Sequence, residues 1–150
     1  MEFVIATDPA TIKKADDLLY EVLWKPFNIS SNTREYFKTG APELIFAALQ
    51  ENRVTGAFVL VVYSPDYAEI RHAAVSIPSQ GQGTGRKLCR QVLSYAEQNQ
   101  INRIEVYARD TALGFWTKMG FKEESDWVDH ELFIKHGIRF KKMAVTVVDV

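Results

Sequence analysis

Apolar residues near the start of the chain recur at the spacing of a helix. Between residues 12 and 23 they follow one another every three or four positions, so they share one face. Asp8, just before this stretch, is a typical N-cap residue, and Pro9 suits the first helical position. The helix is predicted to end at Lys25-Pro26, because the residue before a proline disfavours the helical conformation.

Elsewhere in the first half the apolar residues form short continuous runs, which are typical of buried strands. These runs are residues 3–6, 43–49, 54–63 and 68–77. Turns are predicted between the longer runs at Glu51-Asn52-Arg53 and Ser64-Pro65-Asp66. The first half is therefore predicted to be a helix followed by an antiparallel meander, with residues 27–42 as a loop that includes a short helix.

The second half of the chain alternates between apolar residues at helical spacing and the short continuous apolar runs that are typical of strands. Its predicted elements are a helix from about Thr84 to Asn99, a strand from Ile101 to Ala108, a helix from Thr111 to Met119 and a terminal strand from Ile138 to Val148. Gly120 ends the shorter helix, since glycine is the usual left-handed cap residue. Strand–helix–strand order predicts a parallel or mixed sheet, so the fold class is mixed α/β (α+β).

Composition and charge narrow the class of protein. The chain has 150 residues, a formal net charge of −1 and one cysteine, Cys89, on the apolar stripe of a helix. The length predicts one domain over residues 1–150, and the near-zero charge predicts no nucleic-acid partner. The single cysteine on an apolar stripe predicts a buried thiol in a reducing compartment. No apolar run approaches the ~20 residues of a membrane span, and no targeting segment is visible. A cytoplasmic protein without a membrane partner is expected.

Alternating glycines stand between the last strand of the meander and the next helix. They are Gly81, Gly83 and Gly85. The first backbone N–H groups of a helix have no internal acceptor, and together with the helix dipole they favour an anion such as phosphate. Arg86, Lys87 and Arg90 add positive charge there. The spacing matches neither the dinucleotide nor the Walker motif, so an anion site and a plain strand-to-helix turn both remain open.

Two segments resemble motifs of one protein family. Gln80-x-x-Gly83-x-Gly85 is similar to Q/R-x-x-G-x-G/A, the acyl-CoA pyrophosphate loop of the GNAT superfamily of N-acyltransferases. The segment from Ala112 to Phe121 resembles the family's A-x-x-F-Y-x-K-x-G-F and follows one helix and one strand later. The resemblance implies a single GNAT-like domain with a central mixed sheet of about six to seven strands, flanked by helices and splayed at the cofactor site.

The resemblance also implies an activity and a site. The activity is transfer of the acetyl group of acetyl-CoA to a primary amine by direct attack, without a metal. The pantetheine arm would lie along the splayed strand, and the pyrophosphate would lie on the loop amides. The implied cofactor-binding residues are Ala73, Ala74, Val75, Gln80, Gly81, Gln82, Gly83, Thr84, Gly85, Arg86, Lys87, Arg109, Phe115, Trp116 and Lys118.

The second motif departs from the family pattern. Trp116 stands where many members have the tyrosine that protonates the CoA thiolate, and an indole N–H does not ionise usefully. Trp116 either hydrogen-bonds the thiolate or packs in the core, and Tyr107 is an alternative acid. Arg109 stands where asparagine is frequent, and it either reaches the cofactor or an acidic acceptor, or caps and stays in solvent.

The acceptor amine must lose a proton, because a lysine-like amine has a pKa near 10.4. Glu69, His72 and Glu105 are the candidate bases, from strands near the implied splay. Glu69 and His72 are three residues apart, so they point to opposite faces of a strand unless a bulge intervenes. Spacing does not choose among the three.

Several alternatives remain open. A CoA-binding sensor or partner subunit would keep the loop without turnover, and a nucleotide-binding α/β domain would use it for another phosphate. The acceptor is a small molecule or a peptide. Residues 129–136 contain histidines and acids but match no standard zinc spacing. The apolar run from Met143 to Val148 would pair between the subunits of a homodimer. Trp24, Phe27, Tyr36 and Phe37 either line an acceptor pocket or cover the core.

Overall fold

Seven strands form one mixed sheet in the computed structural model, which describes residues 1–149. The strands are β1 (Glu2–Ile5), β2 (Glu43–Gln50), β3 (Arg53–Ser64), β4 (Tyr67–Val75), β5 (Arg103–Arg109), β6 (Lys122–Val128) and β7 (Phe140–Thr146). The α-helices are α1 (Pro9–Leu19), α2 (Thr33–Tyr36), α3 (Thr84–Gln98), α4 (Leu113–Lys118) and α5 (Glu131–Ile134). The strand order is β1-β2-β3-β4-β5-β7-β6, which confirms the predicted fold class. Val150, the last residue of the predicted domain, lies outside the described residues.

Helix α1 begins where the sequence predicts but ends differently. The backbone N–H of Thr11 donates to Asp8 Oδ2 at 2.9 Å, so Asp8 caps the helix and Pro9 follows as its first residue. After Leu19 the chain continues as a π-helical turn, Tyr20–Trp24, and a 3₁₀ turn, Lys25–Phe27. The predicted helix is therefore divided into three turn types, and a wider turn of this kind often occurs at functional sites.

The antiparallel meander of β1 to β4 confirms the prediction for the first half. Glu51 and Asn52 join β2 to β3 with positive φ angles of 52° and 65°. Two such residues form the type I′ geometry that matches the twist of a hairpin. The predicted strand at residues 68–77 ends earlier, at Val75, because Ile77–Ser79 forms a 3₁₀ turn at Pro78.

The sheet separates two apolar cores. On one face, α3 buries Leu88, Cys89 and Val92, together with Trp116 from α4. On the other face, α1 and the π-helical turn bury a second cluster that includes Leu19 and Trp24. Alternate residues of β3 serve the two clusters, as the period of two along a strand requires.

Strands β4 and β5 separate partway along their length. They pair in parallel where Tyr67–Ile70 lies beside Arg103–Val106, and the pairing stops there. Both strands continue, to Val75 and Arg109, without pairing to each other. The splayed strand pair implied by the resemblance is confirmed, and the backbone groups on the facing edges are left available to a ligand.

The carboxyl-terminal strands correct one expectation and add a strand that the apolar pattern does not predict. β7 pairs with β5 along its whole length and with β6 at Phe140, Lys141, Met143 and Ala144, so most of it lies inside the sheet. The prediction that the whole run from Met143 to Val148 pairs between subunits as a strand is therefore wrong, because Met143 and Ala144 have partners on both sides and Val147 begins a 3₁₀ turn. β6 forms the edge instead, and its polar sequence Lys-Glu-Glu-Ser-Asp carries no apolar run from which a strand could be predicted. None of the helices formed by residues 1–149 has the length and apolarity needed to cross a membrane.

Candidate active site

A cavity of about 1370 Å³ opens where β4 and β5 separate. Its wall combines both splayed strands with the glycine loop, the start of α3, helix α4, the segment from Val22 to Phe27 and helix α5. A drug-sized ligand occupies a pocket of roughly 300–1000 Å³, so this cavity has room for two ligands side by side. The glycine loop lies at one end, and an aromatic cluster lies at the other.

The glycine loop adopts a conformation that requires glycine. Gly81 and Gly83 both have φ of 82°, in the left-handed region. Gly83 is the N-cap residue of α3 and supplies no side chain to the first N–H groups of that helix. A Cβ on Gly85 would lie 3.4 Å from Phe115 and 3.5 Å from Val75, so a side chain there would narrow the cavity. These features fit an anion placed against the start of α3.

The predicted cofactor-binding residues fall into two groups. Gln82 and Lys87 lie outside the cavity wall; the Gln82 side chain donates to the carbonyl oxygen of Pro78 at 3.3 Å, and Lys87 is exposed. Gln80 closes the loop by donating to the carbonyl oxygen of Val75 at 3.0 Å. The cavity wall contains the others, Ala73, Ala74, Val75, Gln80, Gly81, Gly83, Thr84, Gly85, Arg86, Arg109, Phe115, Trp116 and Lys118.

A bulge in β4 brings two candidate bases to one face. Val59 pairs with His72, whereas Leu60 pairs with Ile70, so Arg71 is an extra residue in β4. Without it, Glu69 and His72 would point to opposite faces. With it, both line the cavity. Residue types in β4 give no indication of this bulge, and Arg71 was not predicted as a residue of the site.

Glu69 is a buried carboxylate in the cavity wall. Its side chain accepts a hydrogen bond from the phenol of Tyr63 at 2.7 Å and forms an ion pair with Arg71 at 3.3 Å. Burial, followed by the hydrogen bond to Glu69, raises the pKa of Tyr63 to about 12, so this phenol stays protonated and keeps donating. Glu69 is 5% exposed, and it is the one carboxylate in the cavity wall among residues 1–149.

Glu105 lies beside Glu69 in the parallel register but outside the cavity wall. It accepts hydrogen bonds from the phenol of Tyr67 at 2.6 Å and from Arg103 at 2.7 Å, and it pairs with Lys142 at 3.2 Å. Burial opposes ionisation of Glu105, but these donors outweigh it and lower its pKa. This geometry suits a structural carboxylate better than the base proposed from the sequence.

His72 is uncharged at physiological pH. Burial, reinforced by the guanidinium groups of Arg34, Arg71 and Arg109, lowers the pKa of His72 to about 3. Its ring stands edge-on to Trp24, with 5.2 Å between centroids. Among the described residues, its buried Nε2 has no hydrogen-bond partner. A buried unpaired nitrogen is costly, so a ligand that supplies the missing partner would gain from binding here.

Replacing His72 by phenylalanine is expected to reduce the acid sensitivity of the fold. Below pH 6.5 the unfolded chain takes up a proton that the folded chain, with a His72 pKa of about 3, does not. Below pH 6.5, each further pH unit therefore lowers the free energy of unfolding by about 1.4 kcal/mol. At pH 5 the loss from His72 amounts to about 2 kcal/mol. Urea unfolding at pH 7.5 and pH 5 should show wild type losing about 2 kcal/mol more than His72→Phe. Equal losses would show that His72 is protonated in the folded protein.

Trp116 is part of the core. It is 4% exposed and packs edge-on against Phe115 and Phe121, with centroid separations of 4.9 and 5.2 Å. Most of the Trp116 surface therefore packs in the core, which is one of the two alternatives predicted for it, and one part faces the cavity. Tyr107 is 43% exposed and supplies the one phenol in the cavity wall among residues 1–149.

The other end of the cavity is aromatic. The Arg34 guanidinium, itself buried, holds α2 in place by donating to Glu43 at 2.7 and 3.0 Å and to Asp16 at 3.0 Å. Phe37 follows α2 and stacks on Phe133 with 5.8 Å between centroids. Trp24, Phe27 and Phe37 line the cavity, whereas Tyr36 does not. Phe133 and Phe140 also line it and were missed, because no spacing connects them to the earlier segment.

The histidines of residues 129–136 have structural partners. His130 Nδ1 accepts from the backbone N–H of Leu132 at 3.1 Å and thereby caps α5. Asp129 pairs with Arg139 at 2.8 Å, and the ring of His136 packs against Phe27. Across residues 1–149, no group of three or more His, Cys, Asp or Glu side chains is arranged to hold a metal ion.

The splayed mixed sheet and the glycine loop define the fold of an acyltransferase family. Residues 14–147 match the family model for the acetyltransferase (GNAT) domain. The chain therefore belongs to the GNAT acetyltransferase family.

Similar proteins agree with this assignment. YvbK of Bacillus subtilis (strain 168), an uncharacterized N-acetyltransferase, is 24% identical over 127 residues, which are 83% of this chain and 79% of that protein. Escherichia coli ElaA has the same fold, with a TM-score of 0.81 and 13% identity over 96% of this chain and 99% of its own. A GNAT family acetyltransferase from Elizabethkingia anophelis with acetyl-CoA bound gives a TM-score of 0.69 at 17% identity, covering 97% of each chain.

Proposed function

We propose that this protein transfers the acetyl group of acetyl-CoA to a primary amine. The observation that carries the proposal is one cavity that joins a splayed strand edge, an anion-type loop and a separate aromatic end. An acyl donor with a long polar arm and a pyrophosphate fits the first two features, and an acceptor fits the third. The related protein from Elizabethkingia anophelis, which holds acetyl-CoA, supports the choice of donor.

The donor end relies on backbone groups. The unpaired edge of β4 after Ile70 offers N–H and C=O groups to an extended amide arm, as a neighbouring strand would. The first N–H groups of α3 face the position proposed for the pyrophosphate, and the exposed Arg86 of the cavity wall adds a charge-assisted contact. Bound acetyl-CoA would supply a thioester carbonyl, which a backbone N–H of the splayed edge would polarise.

Direct attack by the amine is the route that these residues support. The one cysteine, Cys89, is fully buried, and burial raises the pKa of its thiol to about 12, so it is not a nucleophile. Glu69 is the base that we propose, because it lines the cavity and stays hydrogen-bonded to Tyr63. As the amine nitrogen bonds to the acyl carbon and the carbon–sulfur bond breaks, the released proton would pass to Glu69. Tyr107 or water would protonate the departing thiolate.

The cations near the acceptor end assist the same step. Arg71 and Arg109 lower the pKa of His72, and they would lower the pKa of an ammonium group bound beside it by the same repulsion. The neutral amine is the form that attacks. His72 has a lone acceptor or donor at Nε2, depending on its tautomer, with which to orient the amine.

A non-catalytic CoA sensor is the second candidate function. It is favoured by one observation, the burial of Trp116 at the position where the family pattern places a phenol. Thiol release from acetyl-CoA separates the two candidates. We expect release above the rate of hydrolysis with at least one class in a panel of amines, together with tight CoA binding by calorimetry. Tight binding without release for any amine would favour the sensor.

A further inference from the structure

We infer that the acceptor is an apolar or aromatic amine that also carries a carboxylate, such as a hydrophobic amino acid. This inference rests on the proposed function and names the substrate class of its acceptor end. Three observations carry it: an unpaired guanidinium, a cavity wall nearly without free carboxylates, and the aromatic rings around both.

Arg109 is a largely buried cation without an anionic partner. Its Nη2 donates to the carbonyl oxygen of Leu23 at 2.7 Å, and no carboxylate lies within ion-pair distance among residues 1–149. The guanidinium lies over Phe27 and Phe133, 5.7 and 5.8 Å from their ring centroids. Burial lowers the pKa of Arg109 to about 10, although the charge of Asp110 opposes this. Arg109 therefore remains charged, and a ligand carboxylate would stabilise that charge by binding it through two parallel hydrogen bonds.

The charges of the acceptor end exclude polycationic acceptors. Glu69 is the one carboxylate in the described cavity wall, and Arg71 already pairs with it. His72 is uncharged, so Arg109 leaves this end with one excess positive charge. A polyamine or an aminosugar would bring further cations into that field and find no free acid to pair with. An acceptor with one carboxylate balances the charge.

The remaining wall of this end is apolar. Phe27 and Phe133 flank Arg109, and Phe37 and Trp24 pack against His72. Phe140 and Leu23 line the same cavity. Apolar and aromatic groups of a ligand would be removed from water there. Arg109 donates to the carbonyl oxygen of Leu23, and the ring of His72 packs on Trp24, the next residue, so the carboxylate and the amine of one small molecule can face Arg109 and His72 together. The two groups are therefore separated by few bonds.

Matched amine pairs test this inference through thiol release. The pairs are phenylalanine with phenethylamine, leucine with isoamylamine, and tryptophan with tryptamine, and spermidine is added as a polycation. For at least one pair, wild type should prefer the amino acid by about tenfold or more in kcat/KM, because charge-assisted hydrogen bonds discriminate at that level. A preference for the decarboxylated amine in every pair, or for spermidine, would overturn the inference.

Arg109→Gln separates recognition from a structural role, and the exposed Arg53→Gln is the matched control. Loss of the Arg109 charge would slow both amines of a pair through the pKa of the bound ammonium group, so recognition is measured by the difference between them. Recognition predicts that Arg109→Gln lowers kcat/KM for the amino acid at least about tenfold more than for its decarboxylated partner, while Arg53→Gln changes neither. Arg109 also ties Leu23 to β5, so a purely structural role would lower both equally, and this result would overturn the inference.

A binding experiment covers the case in which the proposed function fails. N-acetylphenylalanine and N-acetylphenethylamine are product-like probes that need no turnover. If calorimetry shows acetyl-CoA binding but no amine supports thiol release, the transferase proposal fails while the acceptor site can still be measured. Preferential binding of the acid by wild type, lost in Arg109→Gln, supports the carboxylate site. Equal affinity for the two probes, or binding of neither, overturns it.

Discussion

Replacing Gly83 by aspartate is expected to weaken acetyl-CoA binding about 100-fold, because a carboxylate would stand where the pyrophosphate is proposed to bind. Gly83 is the N-cap residue of α3 and has φ of 82°, and a Cβ there would contact no atom within 4 Å. The side chain would therefore meet no neighbouring atom, and the effect beyond the strain of the left-handed backbone is electrostatic. Isothermal calorimetry with acetyl-CoA measures it directly.

Two variants isolate the charge from the backbone conformation. Gly83→Asn imposes the same left-handed strain without the charge, and asparagine tolerates that conformation about as well as aspartate does. It should weaken binding about tenfold at most. Gly40→Asp adds the same residue at φ of 84°, also in open space but outside the cavity wall, and should leave the affinity unchanged. Equal affinities of wild type and Gly83→Asp for acetyl-CoA would show that the glycine loop does not bind the cofactor.

The second large effect is expected for Glu69→Gln, which should lower kcat by about 10²–10³-fold with little change in acetyl-CoA affinity. Glutamine keeps the shape of the side chain and an oxygen that accepts from Tyr63 Oη, but it cannot take a proton from the acceptor amine. Thiol release at saturating acetyl-CoA gives kcat, and calorimetry gives the affinity. A higher pH should restore part of the rate, because more of the amine is then neutral.

Glu105→Gln is the matched control for this variant. Glu105 is buried to a similar extent and lies in register with Glu69 on the next strand, yet it is outside the cavity wall. Losing its charge should lower the midpoint of thermal unfolding, since Lys142 would lose its ion-pair partner and Arg103 would keep only Glu124, while kcat changes less than about threefold. The opposite result, with turnover lost in Glu105→Gln and kept in Glu69→Gln, would identify Glu105 as the general base.

Much of the fold follows from local patterns in the sequence. Asp8-Pro9 marks the start of α1, and Glu51-Asn52-Arg53 marks a hairpin because a short polar link with a turn-forming asparagine stands between two apolar runs. β6 could not be predicted, since an edge strand needs no apolar face. The interior place of β7 was equally hidden, because strand order depends on distant pairings and not on composition.

The site divides in the same way. The glycine spacing at Gly81 to Gly85 indicated the loop, because backbone conformation restricts residue type there. The juxtaposition of Glu69 and His72 depends on one extra residue in β4, and a bulge leaves no trace in residue type. Ligand binding by Arg109 was proposed from the sequence and stays a proposal, but its position between Phe27 and Phe133 arises from contacts across more than 80 residues of chain.

The two ends of the cavity differ in the atoms that line them, and this difference bears on how specificity can change. At the loop end the proposed contacts are mainly backbone amides, whose positions depend on glycine conformations and on the splay. At the aromatic end they are side chains of Arg109, Phe37 and Phe133. Substitutions at the aromatic end would therefore retarget the acceptor while leaving the donor site intact, so a new substrate range can be selected or engineered without rebuilding the fold.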